Sequence, residues 1–389
     1  VSVTAYLFWL CLTASVWPYL GYPACLALLR PRRKPVRRSS SIRPTISLVI
    51  SAHNEAKVMR QRLENALAVD YPGDQLEIVV LSDASDDGTD ECATEYAERG
   101  VKLLRQEVRR GKSAAIEQFV AATLGEVIVF SDANSMYRPD ALLRLVEPFA
   151  DPSVGFVSGR QVLELEETAV FRGESLYRRY ETWVKRAESD IGSVVGGYGS
   201  ILAVRRTAWH SLAPDEMNDF TLPLRIVVSG LRGIFEPRAL CAEWPSSEFG
   251  GEYQRRVRTV ARGVRSVARV PASLDPRRVG VFAFQLFSHK VLRWLGPFTL
   301  AGTAVSAALL ASTGSPVGMV ALAAGGAAAL AAAAALSPPL RRHRPIGLAG
   351  YFATLQAAAA VGVLSALLGR RYAVWNPVAS TRRNERVST

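Results

Sequence analysis

Apolar and polar positions divide the chain into a middle of short alternating segments and two flanks of long uncharged runs. Residues 1 to 29 carry no charged side chain, and Tyr6 to Leu29 is long enough to span a bilayer. Pro18 and Pro23 interrupt this run, which membrane helices tolerate better than soluble ones. Basic residues follow the run instead of preceding it, so it reads as a retained anchor and not as a signal peptide. A second uncharged block runs from Trp294 to Leu340, and Thr313-Gly314-Ser315-Pro316 divides it into two candidate spans. A third candidate runs from Ile346 to Gly369. A fully soluble protein is excluded. The low-complexity stretch Ala321 to Ala335 suits close helix packing in a membrane.

The middle alternates strands and helices. Ile46–Ser51, Leu76–Ser82, Val101–Leu104 and Val127–Phe130 are short β-rich runs. Helical patterns follow them: to Ala68, to about Glu98, from Gly111 to Leu124, and from Pro139, at a first turn, to Phe149. This order predicts an α/β fold with a mostly parallel sheet covered on both faces, whose ligands bind beyond the carboxyl ends of the strands. The expected organisation is an anchor helix over 1–29 and a basic linker over 30–43. An α/β domain over 44–250 and amphipathic interface helices over 251–294 follow. About three transmembrane helices over 295–369 and a basic tail over 370–389 complete it.

Charge sets the orientation. Lys and Arg number 47 against 35 Asp and Glu, a formal net charge of +12. Six of the nine residues from Arg30 to Arg38 are positive, which marks the cytoplasmic side and places the α/β domain there. The loop Arg341 to Arg344 belongs on the same side, so the Trp294–Leu340 block crosses twice and the last span carries the tail outside. The tail holds Arg370, Arg371, Arg382, Arg383 and Arg386, which argue for inside. An apolar segment lying in the interface instead of crossing would relieve the conflict. The four cysteines, Cys11, Cys25, Cys92 and Cys241, form no C-x-x-C pair, so a disulfide scaffold and a structural zinc are excluded.

Candidate chemistry clusters at strand ends. LEIVVLSD ends in Asp83, and EVIVFSDAN ends in Asp132 with Asn134 two positions on. Acidic strand ends are common for solubility alone. Two of them, one with a D-x-N spacing, point to a hard cation such as Mg²⁺ or Mn²⁺ whose remaining oxygens a diphosphate supplies. Arg109 to Ser113 is not a P-loop, because Gln106 stands where that motif needs glycine. Lys112 at a helix start can still hold a phosphate, or be a solvated charge. Gly196-Gly197-Tyr198-Gly199-Ser200 permits close backbone approach to a ligand, or forms a plain turn. Asp219 precedes a helical pattern as a cap or as a general base. From Tyr253 to Val270, Val257, Val260, Val264 and Val267 recur at helical spacing among six arginines. That pattern fits an anionic membrane surface, a phosphate clamp or a solvated face, and the flanking spans argue against nucleic acid.

In sequence order, SAHNE, LSDASDDGTD, RRGK, SDAN, GGYGS, NDF and R-x-x-R resemble the membrane-embedded glycosyltransferases of family 2, which include cellulose, chitin and hyaluronan synthases. The likeness covers about Ile46 to Gly263, and SHKVLRW (Ser288 to Trp294) resembles the family's entry into its C-terminal membrane helices. It implies a GT-A fold and a nucleoside pocket lined by His53, Asn54, Glu55 and Asp83. Lys112 and Asp132 would also contact the nucleotide, and Asp132 with Asn134 would hold the metal, the amide replacing a second acid. Gly197, Tyr198, Gly199 and Ser200 would face the acceptor. Asp219 stands at the catalytic base, with Asn218 in place of a glutamate. The family's Q-x-x-R-W becomes Arg255-Arg256-Val257-Arg258-Thr259. Arg258, with Arg255, would hold the diphosphate, and loss of the tryptophan puts processivity in question.

The implied activity is inverting transfer of a hexose or N-acetylhexosamine from a UDP-sugar to an acceptor hydroxyl at the bilayer, making an extracellular polysaccharide. Transfer of one sugar to a lipid acceptor is the alternative. A non-catalytic nucleotide-binding membrane protein is the alternative of another class. Transport is disfavoured, because the three C-terminal runs hold no charge.

Overall fold

The computed structural model describes residues 2–163, 169–244, 249–341 and 343–374. Eight strands form one sheet in the order β3-β2-β1-β4-β7-β6-β8-β5. They are β1 (Ile46–Ala52), β2 (Leu76–Ser82), β3 (Val101–Arg105), β4 (Val127–Asp132), β5 (Met136–Tyr137), β6 (Val154–Leu163), β7 (Leu202–Arg205) and β8 (Arg232–Glu243). The sheet is mixed, with four of its seven strand pairings parallel. β1, β2, β3 and β4 pair in parallel, as does β6 with β8, whereas β7 runs antiparallel to both neighbours and β5 antiparallel to β8. β7 inserts between β4 and β6 with its direction reversed, a pairing that the alternation of strands and helices does not encode.

Apolar side chains on successive strand positions go to opposite faces and make two cores. Ile46, Leu48, Ile50, Ile78, Val80, Val127 and Val129 pack on one face. Val49, Val79, Leu81, Ile128 and Phe130 pack on the other. Burial on both faces explains why these strands read as continuous apolar runs. The first face carries α3 (Ala56–Leu67), α4 (Thr89–Thr94) and α6 (Ala141–Val146), and the second carries α5 (Lys112–Phe119) and α8 (Thr221–Val228).

The apolar flanks are helical. The N-terminal run is not one helix but two, α1 (Val3–Val16) and α2 (Gly21–Leu29), bent by 61° in the region of Pro18. Downstream of α7 (Ala169–Ile191) and α9 (Phe249–Arg269), two short helices, α10 (Pro276–Val279) and α11 (Val281–Leu286), lead through a π turn at Phe287–Val291. Then come α12 (Leu292–Ser312), α13 (Pro316–Ala334), the short α14 (Pro338–Arg341) and α15 (Arg344–Leu367). By length and composition three C-terminal helices suffice to cross a membrane, and the bent α1–α2 pair makes a fourth candidate. Small residues let them approach: a Cβ on Gly302 would stand 2.8 Å from Cys11 Sγ, and Gly318 lies against the Ala307 and Ala311 backbone. The Ser15 hydroxyl bonds Thr299 at 2.8 Å and ties α1 to α12.

The contacts of α15 bear on the orientation conflict. Gly350 packs on Ala335 after the end of α13, Gln356 reaches Tyr19 and Gly296, and Gly362 sits on Val257 and Val260 of α9. Beyond the helix, Ala373 lies against Gly111 of the α/β domain. The described start of the tail is therefore on the same side as that domain. A helix that lies along α9 reconciles its apolar composition with the arginines around it. A cysteine placed at Tyr372 in a cysteine-free chain should be labelled by an impermeant thiol reagent from the same side of a sealed vesicle as one at Glu98. It should be labelled from the opposite side to one at Thr313, in the α12–α13 turn. Labelling of Tyr372→Cys together with Thr313→Cys would overturn this placement.

Candidate active site

Parallel pairing in register brings distant acids to one edge. Ala52 pairs with Ser82, and Ser51 with Asp132, so the residues after β1, after β2 and at the end of β4 share the carboxyl edge of the sheet. β2 and β4 flank β1 on opposite sides, and the crevice between their chain directions is where α/β sheets bind ligands. A pocket forms there, lined by His53, Glu55, Asp83, Gly111, Lys112, Asp132 and Ala133 with residues of β1 and β2. Both carboxylate oxygens of Asp83 accept backbone N–H bonds, from Arg110 and Gly111, at 2.8 Å each. Asp83 thus fixes the loop before α5 as well as facing the pocket. Gly111 adopts φ +95°, open to glycine, and the tail at Ala373 crosses directly over it. His53 Nδ1 lies 2.8 Å from the Asp83 carbonyl.

Antiparallel pairing brings the glycine-rich segment to the same edge. Leu202 opposes Phe130, so the residues before β7 meet the end of β4. Lys112, at the start of α5, bonds Asp132 and also donates to the Gly199 carbonyl at 3.2 Å. On the other side of Gly199 stands Asp219: a Cβ at Gly199 would be 3.3 Å from Asp219 Oδ2. The Asp219 carbonyl accepts from Gly197 N at 2.7 Å, which fixes the loop before α8. Asp83, Lys112, Asp132, Gly199 and Asp219 therefore form one continuous constellation.

Asp219 also opens onto a second cavity of about 200 Å³, toward the apolar helices. Its walls include Lys185 of α7, Gly196, Gly197, Arg256 and Thr259 of α9, Lys290 and Arg293 near the start of α12, and Trp294. Tyr19 between α1 and α2, and Leu355, Gln356 and Ala359 of α15, close it. Trp294 meets the Phe220 ring edge-on at 5.9 Å. It supplies an aromatic wall to the cavity that Thr259 also lines. Lys185, Lys290, Arg256 and Trp294 were not singled out from sequence. For Lys290 and Trp294 the signal was present in SHKVLRW, whose charges border an uncharged block, but nothing in the spacing tied it to Asp219. Burial pushes the Lys185 ammonium below its usual range.

Several expected site residues face elsewhere. Asn54, at φ +54°, exchanges hydrogen bonds with Asp86 and braces the loop after β2 instead of lining the pocket. Ser200 is buried, its carbonyl accepting from the Tyr137 hydroxyl at 2.9 Å, and Tyr198 packs between Lys185 and Phe235. Of the glycine-rich segment, Gly197 lines the membrane-side cavity and Gly199 borders Asp219. Arg255 is exposed on α9 and Arg258 is half-buried; neither lines the two cavities. Burial, with Arg262 and Arg255 nearby, lowers the Arg258 guanidinium to about 10. Arg262 is the arginine tied to the site, bonding the Asp215 carbonyl at 3.1 Å and the Glu216 carbonyl beside Asp219.

Asp132, one-third exposed and facing the pocket, offers an oxygen to a hard cation, and Asn134 is buried two positions on. Glu243, at the end of β8, accepts from Ser135 Oγ, and burial followed by the charge of Asp132 raises its carboxyl. Among the described residues no group of three His, Cys, Asp or Glu is arranged to hold a metal. The donor set is a partial one that fits an ion only when ligand oxygens complete it.

This architecture is the GT-A fold. The model of Glycosyl transferase family 2 matches residues 47–211 of this chain. It is 27% identical over 219 residues to a beta-monoglucosyldiacylglycerol synthase of Trichormus variabilis, covering 54% of this chain and 47% of that protein. It is 23% identical over 245 residues to a poly-beta-1,6-N-acetyl-D-glucosamine synthase of Staphylococcus epidermidis, covering 60% and 59%. The chain thus spans about half the length of the curated relatives it matches. Its fold is shared by a mannosyltransferase of Pyrobaculum calidifontis solved with GDP-Man and Mn²⁺. That likeness has a TM-score of 0.75 at 24% identity and covers 95% of this chain and 100% of that one.

Asp83→Ala removes two charge-assisted bonds to the loop, each worth ~1.5–3 kcal/mol. UDP affinity, measured by calorimetry in detergent, should fall by at least ~10-fold. An unchanged affinity would detach this loop from the nucleotide.

Proposed function

We propose that this chain is an inverting glycosyltransferase that moves a hexose or N-acetylhexosamine from a UDP-sugar to an acceptor hydroxyl at the membrane. The observation that carries the proposal is the position of Asp219, linked through Gly199 to Lys112 on the wall of the strand-edge pocket and lining the membrane-side cavity directly. The nucleotide occupies the first compartment and the acceptor the second. As the acceptor oxygen attacks the anomeric carbon, its proton passes to the Asp219 carboxylate. The new C1–O bond forms as the bond from C1 to the diphosphate oxygen breaks, and the electron pair leaves with the nucleoside diphosphate. A positioned base contributes roughly 10²–10⁴-fold; the remainder comes from orientation and fixed charge.

Lys112 stands between Asp132 and Gly199, where it can neutralise the leaving diphosphate. Asp132 and Asn134 would hold Mg²⁺ or Mn²⁺, which when bound supplies further positive charge there. Asp83 and His53 orient the nucleoside. The Pyrobaculum enzyme was solved with GDP-Man, so UDP- and GDP-sugars both belong in the assay.

Two acceptors fit the relatives: a growing polysaccharide and a lipid. The lipid reading gains support from a cavity walled by the apolar helices and from Thr259 in place of the synthases' tryptophan. A product one sugar heavier than the acceptor fits the lipid, and a ladder of masses fits the polymer. Asp219→Asn should keep UDP binding and lose at least ~100-fold in turnover, read as UDP release from purified protein. Near-normal turnover would remove Asp219 from the role of base.

A further inference from the structure

The membrane-side cavity has a charge pattern that a neutral sugar does not call for. Among its described lining residues are four cations, Lys185, Arg256, Lys290 and Arg293, and one carboxylate, Asp219. Two of the cations are already engaged. Arg293 pairs with Glu181 at 2.5 Å, and Arg256 reaches the Tyr351 hydroxyl at 3.0 Å. Neither lysine has a carboxylate at ion-pair distance among the described residues. Lys185 is 4% exposed, yet its ammonium has only a long bond to the Gly196 carbonyl, 3.4 Å, and the face of Tyr198 at 4.6 Å. Lys290, also on the cavity wall, makes no hydrogen bond or ion pair among the described residues. His289 beside it is consumed by Glu188 and Glu181, at 2.6 and 3.1 Å.

Glu181 and Glu188 act on both lysines, and Asp219 on Lys185, only from beyond ion-pair distance; burying an ammonium without a direct counter-charge is costly, and an anion in the cavity would supply one. The same cavity is closed by Tyr19, Trp294, Leu355 and Ala359, which belong to the apolar helices and the bend between α1 and α2. Cations near Asp219, under a roof of membrane helices, match one acceptor chemistry. We propose that the acceptor is an anionic lipid carrying both a phosphate and a free hydroxyl, with Lys185 and Lys290 holding the phosphate while Asp219 receives the hydroxyl proton. This rests on the reading of Asp219 as base and specifies its acceptor. The phosphate is a handle and stays intact; the bonds made and broken are those at the anomeric carbon described above.

The test uses the full chain in lipid nanodiscs with a panel of UDP- and GDP-sugars and Mn²⁺. Phosphatidylglycerol is compared with diacylglycerol of the same acyl chains, and a polyprenyl diphosphate-linked sugar with the neutral polyprenyl glycoside. Soluble glycerol phosphate and a neutral N-acetylglucosamine oligosaccharide complete the panel. At least one phosphate lipid should exceed its neutral partner by at least ~10-fold in kcat/KM, and glycerol phosphate should compete only weakly. Lys185→Gln and Lys290→Gln should each raise the KM for that lipid ~10-fold while changing kcat far less, and should erode the preference over the neutral partner. Equal use of charged and neutral lipids, or preference for the oligosaccharide, overturns the proposal even if neither variant folds. If the unaltered chain turns over no donor but still binds the phosphate lipid, the transfer reading falls and the anion site stands. If it turns over donor onto neutral acceptors alone, the reverse holds.

Discussion

The two halves of the site meet at a single glycine. Gly199 offers its carbonyl to Lys112 on the nucleotide side and its bare Cα face to Asp219 on the membrane side. A side chain there would press against the Asp219 carboxylate. The carbonyl gives the lysine a second anchor besides Asp132, so one backbone unit spaces Lys112 from Asp219, the cation and the base of the proposed reaction. Everything else serves this spacing. The in-register parallel strands bring Asp83 and Asp132 to the edge, and the reversed direction of β7 delivers Gly199 to the end of β4. Three parallel crossovers alone would have left the glycine-rich segment at the wrong end of the sheet.

Attachment to the apolar helices follows from α9. Its valines pack inward, while its arginines divide between two tasks. Arg262, Arg265 and Arg269 reach back to the Asp215–Glu216 loop just before Asp219. Arg256 points toward α15 through Tyr351. The loop before Asp219 is therefore tied to the same helix that seats α15.

The sequence made legible whatever depends on local period. The buried parallel strands, the break at Thr313 to Pro316 and the acidic ends at Asp83 and Asp132 follow from runs of a few residues. The motif order also found Lys112, Gly199 and Asp219. What escaped depends on pairing between distant segments. The antiparallel entry of β7, the pairing of β6 with β8, and the turn of Ser200 into the core are set by sheet order, which hydrophobic alternation does not encode. Asn54 lost its place in the pocket to a local bond with Asp86, a choice between two polar partners that spacing cannot rank. Lys185 was invisible for a related reason. On a helix with so many charges, nothing marks the one whose face turns inward.

Lys185 also shows why the membrane-side cavity is better read as a binding site than as a structural core. A purely structural interior would pair each buried cation with a carboxylate, as Glu181 does for Arg293 and as Glu181 and Glu188 do for His289. The same carboxylates reach the two lysines on the cavity wall only from beyond ion-pair distance, so neither lysine has a direct ionic partner among the described residues. Desolvation already lowers the affinity of Lys185 for its proton, so a state without an anion carries a cost that folding alone does not require. A cost concentrated on the wall of a cavity, beside the proposed base and under apolar helices, is one that ligand binding removes. Occupancy by an anion then stabilises the cavity at the step where the acceptor must be held still.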